Sequence, residues 1–156
     1  MKNYIVSILL SSFFVSANAF GQEGLSVGTE TPVFEANNQF GEVVSSINLL
    51  EEHSGLIIVF YRGSWCPYCT KHLSYLQDSL KYITQLGYEL VVISPEQTSY
   101  SKDVLDEQKT SYPILHDEDY SIMKSFDVYF TISEETVPRA YNYVEKKTAK
   151  SNGNDE

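Results

Sequence analysis

Leu56-Ile57-Ile58-Val59-Phe60-Tyr61-Arg62-Gly63-Ser64-Trp65-Cys66-Pro67-Tyr68-Cys69 decides the fold class. Its first six residues are a continuous apolar run with three β-branched members, which predicts a strand buried on both faces of a mainly parallel sheet. After Gly63 and Ser64 the period changes. Leu73, Leu76, Leu80, Ile83 and Leu86 recur at helical spacing until Gly87 supplies a stop, so a helix from about Pro67 to Gln85 is expected. Tyr88 to Ser94 contains Leu90-Val91-Val92-Ile93, a second buried strand closed by Pro95. Strand, helix, strand in this order makes a right-handed parallel crossover, and the fold class that contains it is α/β, a mostly parallel sheet flanked by helices.

Outward from this unit the signals weaken. Lys102 to Thr110 reads as a surface helix with Val104 and Leu105 inward, Ile114-Leu115 as a short strand and Tyr120 to Phe126 as a helical turn. Upstream, Phe34, Phe40, Val43 and Val44 fit a short hairpin around Gly41, and Phe20 to Pro32 an extended arm with several glycines. Downstream, Val128 to Ile132 alternates weakly, Glu134 to Val144 fits either a helix or a strand, and Lys146 to Glu156 reads as a polar, disordered tail. The expected folded domain is therefore 20–145.

Met1 to Ala19 has the form of a secretory signal: Lys2, an apolar stretch from Tyr4 to Val15, and the small-x-small pattern Ala17-Asn18-Ala19. As a membrane anchor the apolar run is short, since a spanning helix needs about 20 apolar residues. The expected location is thus the periplasm or the outside of the cell. Cleavage after Ala19 leaves 137 residues, enough for one core, with 10 basic against 21 acidic residues and a formal charge of −11. That surface repels nucleic-acid phosphates and anionic lipid heads.

Both cysteines of the chain lie in the quoted stretch, Cys66 and Cys69. Export would favour reading them as a structural disulfide. Their spacing argues against it, because a bridge over so small a loop removes little entropy from the unfolded chain. Cys66 falls where a buried strand meets a helix, at the carboxyl edge of the sheet where open α/β folds place their sites. The unpaired amides and dipole of a helix N-terminus favour its thiolate, which makes Cys66 the attacking nucleophile, provided that the sulfur is reachable. Cys69, one helical turn on and on the same face, is placed to resolve the mixed disulfide that Cys66 forms. Pro67 suits the first helical position and stiffens the turn. Trp65 is expected to cover one side of the sulfur pair.

Zinc is the main competing use of a Cys-x-x-Cys pair. A structural site needs four ligands, and besides carboxylates only His53, His72 and His116 are available. Copper delivery is the remaining metal reading, with His72 sharing a helix face with Cys69. The expectation is no metal and no cofactor.

The run Val59 to Cys69 resembles the active-site strand and turn of the peroxiredoxin-like branch of the alkyl hydroperoxide reductase and thiol-specific antioxidant (redoxin) family. Its Trp-Cys-x-x-Cys core is similar to thioredoxin, and Cys-Pro-Tyr-Cys is similar to glutaredoxin. The likeness extends more loosely from Gly28 to about Val128, including Tyr112-Pro113-Ile114-Leu115-His116-Asp117. It implies a thioredoxin-like fold, dithiol redox chemistry and, around the cysteines, site-shaping roles for Arg62, Trp65, Pro67 and Tyr68. Peroxide reduction carries over less directly. Peroxiredoxins place a proline seven residues, and a threonine or serine three residues, before the peroxidatic cysteine. Counted from Cys66 those positions hold Val59 and Gly63, and counted from Cys69 they hold Arg62 and Cys66. The late cis-proline of thioredoxin folds has one candidate, Pro138, which reads better as an ordinary loop or helix-start proline, and the C-terminal strands and helix of the fold are expected to be incomplete. Two activities follow: exchange with the disulfides of proteins or small thiols, and, as the alternative, reduction of hydroperoxides.

Overall fold

The computed structural model describes residues 24–102, 110–131, 135, 138 and 141–153. The expected leader 1–19, the expected helical residues Val104 and Leu105, and Val137 of the late proline bond lie outside them. Strands β1 (Glu35–Asn37) and β2 (Val43–Ser45) form an antiparallel hairpin, with Gly41 in the left-handed conformation at its tip. Helix α1 (Ser46–Glu52) follows at once; its roughly two turns are too short a pattern to read in the sequence. Then come β3 (Gly55–Phe60), α2 (Pro67–Gln85), β4 (Tyr88–Ser94), β5 (Ile114–His116), α3 (Ser121–Ser125) and α4 (Tyr141–Asn152).

β3, β4 and β5 form a parallel sheet in that order, with Ile57 opposite Leu90 and Ile93 opposite Leu115. Because side chains alternate across a strand, β4 supplies both halves of the core. Leu90 and Val92 point to one face, where they meet Leu73 of α2, Tyr61, Tyr112 and Ile114. Val91 and Ile93 point to the other, against Phe34, Leu115 and Ile122. Each such side chain, fully buried, stabilises the fold by about 1.5–3 kcal/mol. The Tyr112 hydroxyl donates to the Leu73 carbonyl at 2.9 Å, which ties the approach to β5 to the helix carrying the cysteines.

Two expectations are corrected here. The apolar run of β3 predicts burial on both faces, yet every residue of β3 is only half-buried. Among the described residues β3 has one strand neighbour, β4, and it is β4 that is central and enclosed. Secondly, residues 146–152 belong to α4 and are not a disordered tail. Lys, Glu and Ala are strong helix formers, and the end of the helix is anchored: Ser151 is buried and its carbonyl accepts from the Gln97 N–H at 2.9 Å.

Candidate active site

β3 delivers the chain to the carboxyl end of the sheet, and a tight turn links it to α2. The Cys66 N–H closes this turn on the Gly63 carbonyl at 3.1 Å. Gly63 has φ +140°, and a Cβ built on it would lie 2.5 Å from Trp65 Nε1 and 3.0 Å from Glu96 Oε1, so both conformation and space demand glycine. Cys66 is the N-cap of α2 with extended backbone, and Pro67 occupies the first turn, as its missing N–H allows.

The two sulfurs are free thiols whose Sγ atoms lie 2.7 Å apart, with Cys69 donating to Cys66. The Cys69 backbone N–H also points to Cys66 Sγ at 3.4 Å, and Arg62 Nη2 donates to it at 3.0 Å. Burial pushes the Cys66 thiol up, but the bonds from the Cys69 thiol and N–H and the Arg62 guanidinium outweigh it and hold Cys66 below the ordinary thiol range. Cys69 goes the other way: burial and its bond to the Cys66 sulfur keep its proton on. A disulfide bond is about 2.05 Å long, so closing the pair needs little backbone movement.

Accessibility differs from expectation. Cys66 is only 1% exposed, whereas its neighbours Pro67 and Tyr68 are exposed, Tyr68 at 82%. Arg62, an exposed residue, seats its guanidinium both on Cys66 Sγ and 5.5 Å from the Trp65 ring. The charge that favours the thiolate thus occupies one approach to it. Trp65 itself is half-buried; what the structure gives it is the guanidinium of Arg62 rather than a partner for its own Nε1, which is buried without a hydrogen bond. Tyr68 presents an aromatic surface beside the sulfurs.

Glu96 belongs to no motif of the sequence. It is fully buried, and its carboxylate accepts from the Tyr61 hydroxyl at 3.1 Å, from the Ser64 N–H at 2.8 and 2.9 Å, and from the Ser64 hydroxyl at 2.7 Å. Burial and the nearby Glu96 charge push the Tyr61 phenol up, which keeps it a donor. The one available signal was an acid placed straight after a buried strand, at the sheet edge where ligands collect. Nothing in the spacing linked it to Ser64, 32 residues away.

His53 faces Glu89 at 3.6 Å, His116 ends β5, and His72 is on the exposed side of α2. Among the described residues no three His, Cys, Asp or Glu side chains gather to hold a metal ion. Gly63 offers no hydroxyl to a peroxide, and the adjacent Ser64 donates its hydroxyl to Glu96.

The family model described as AhpC/TSA matches residues 27–149. A bcp-type peroxiredoxin sequence of Haemophilus influenzae is 29% identical over 107 residues, covering 67% of this chain and 66% of its own length. The thiol-disulfide oxidoreductase ResA of Bacillus thuringiensis subsp. konkukian is 21% identical over 108 residues, 69% of this chain and 61% of ResA. The chain therefore spans somewhat under two thirds of the length of these relatives. Among solved structures, the peroxidoxin BcpB of Mycobacterium tuberculosis superposes with a TM-score of 0.63 at 23% identity, over 67% of this chain and 68% of that one, which fixes the fold as thioredoxin-like.

Proposed function

The chain belongs to the AhpC/TSA family, and from that premise we propose that it is a thiol–disulfide oxidoreductase working through the Cys66–Cys69 dithiol. The observation that carries this reading is the asymmetry of the pair: two sulfurs 2.7 Å apart, one held towards its thiolate and the other towards its thiol. The Cys66 thiolate attacks one sulfur of a partner disulfide, forming a mixed disulfide and expelling the other sulfur as a thiolate. Cys69 then gives up its proton and attacks Cys66 Sγ. The Cys66–Cys69 bond forms, the partner leaves as its second thiol, and the partner has gained the two electrons that the dithiol lost. Run backwards, the same steps oxidise a partner dithiol.

The test is Cys69→Ser. A variant lacking the resolving sulfur accumulates covalent, reductant-sensitive adducts through Cys66 when mixed with a disulfide substrate such as insulin. Absence of adducts, with Cys66 still alkylatable, rejects exchange as the activity.

A second reading, hydroperoxide reduction through a Cys66 sulfenic acid resolved by Cys69, is supported by the peroxiredoxin names among the relatives and by the guanidinium on Cys66 Sγ. It lacks the hydroxyl expected at the position of Gly63. Stopped-flow oxidation by hydrogen peroxide separates the two: a rate no faster than that of a free thiolate leaves exchange alone. We propose further that the protein is exported after cleavage behind Ala19. N-terminal sequencing of the protein from its host is expected to begin at Phe20; a chain beginning at Met1 rejects export by a cleaved signal.

A further inference from the structure

We propose that Glu96 is a positioning residue of the redox site: from the end of β4 it clamps the Gly63–Cys66 turn and thereby sets where Arg62 and the start of α2 stand relative to Cys66. This rests on the dithiol reading above and deepens it.

The turn is held by two kinds of bond. One is its own, from the Cys66 N–H to the Gly63 carbonyl. The other comes from outside: both carboxylate oxygens of Glu96 receive the Ser64 N–H, and Oε1 receives the Ser64 hydroxyl as well. Ser64 is the second residue of the turn, so fixing its amide fixes the orientation of the peptide that follows Gly63. Glu96 is itself immobilised. Its backbone N–H donates to Ser94 Oγ at 3.1 Å, the Tyr61 hydroxyl holds Oε2, and Tyr61 in turn donates its N–H to the Ile93 carbonyl at 3.1 Å. The clamp therefore joins the ends of β3 and β4 directly beneath the cysteines.

Gly63 shows how closely the parts fit, since its missing Cβ is what lets Glu96 Oε1 approach. A buried carboxylate is costly unless its lone pairs are used, and donors converging from one short turn are an arrangement that core packing alone does not require. Arg62 and Cys66 flank this turn on either side. Freedom at Ser64 becomes freedom in the Arg62–Sγ and Cys69–Sγ contacts, whose bonds to the thiolate are short and directional.

The experiment reads Cys66 alkylation by iodoacetamide against pH in the reduced full-length protein and its variants. Glu96→Ala is expected to slow alkylation at pH 7 about 10-fold and to move the midpoint upward by about one pH unit, one unit being a factor of ten in thiolate population. Glu96→Gln, which keeps an acceptor oxygen for Ser64, is expected to recover most of the rate. A folded Glu96→Ala protein with the wild-type profile overturns the proposal. Should Glu96→Ala not fold, Glu96→Asp, which keeps the charge but is one methylene too short to hold the Ser64 N–H, decides. A slowed, upshifted profile supports the clamp, and an unchanged one refutes it. Alkylation needs no partner. Failure of wild-type protein to reduce disulfides with the Glu96 effect intact rejects the function alone, and normal turnover with no Glu96 effect rejects the clamp alone.

Discussion

Arg62 does two things to one sulfur, and a single substitution separates them. Arg62→Met keeps the long stem beside Trp65 but removes the donor to Cys66 Sγ. The thiol is expected to ionise at higher pH and its alkylation at pH 7 to fall about 10- to 100-fold, since hydrogen bonds to a charged group contribute about 1.5–3 kcal/mol and about 1.4 kcal/mol is a factor of ten. A rate equal to wild type means the guanidinium shields the sulfur as much as it activates it. The pair also gives a pH signature. Cys66 is lowered in the folded state, so its contribution to stability grows as pH rises from its folded value to that of a free thiol, about 8.5. Cys69 is raised, so its contribution is lost as pH climbs above that value through its own. The stability of the reduced protein, measured relative to a Cys66→Ser/Cys69→Ser variant, is expected to peak near the free-thiol pKa; a monotonic difference contradicts the opposed shifts.

α2 and β4 were the parts most legible in the sequence, and the reason is physical. Leu73, Leu76, Leu80 and Ile83 repeat over about three turns, and Leu90 to Ile93 form an apolar run with Pro95 behind it, so each pattern had length to stand out. Leu73 lies at the contact between the two and is fully buried. Leu73→Ala is expected to cost about 2–5 kcal/mol in urea unfolding, with cavity and lost transfer both contributing. A loss under 1 kcal/mol would mean that α2 settles into the space. α1 and α4 were the illegible elements. α1 is seven residues long. α4 carries few apolar residues, and its anchor is a main-chain bond from Gln97 to Ser151 that no side-chain pattern encodes. The nucleophile and resolving roles were readable because a helix N-terminus and a three-residue spacing are local. Glu96 was not, because its bonds to Ser64 and Tyr61 span 32 and 35 residues.

At the scale of the whole molecule, net charge is the property that reaches furthest. The chain carries a formal −10, and residues 20–156 carry −11. At low ionic strength it is expected to react faster with a cationic disulfide such as cystamine than with an anionic one such as dithiobis(nitrobenzoate). Added salt should narrow the gap several-fold, as screening shortens the field to about 10 Å at 0.1 M. Rates insensitive to salt would show that the local field of Arg62 governs encounter. Cys66, 1% exposed beneath that guanidinium, bears on any assay of thiol content. In native protein, bulky maleimide labels used to count reduced cysteines by gel shift meet one sulfur that is shielded and another that holds its proton, so a fully reduced sample scores as partly oxidised. Acid quenching followed by labelling in denaturant removes that bias, and only then does a ratio of bands report the redox state in the cell.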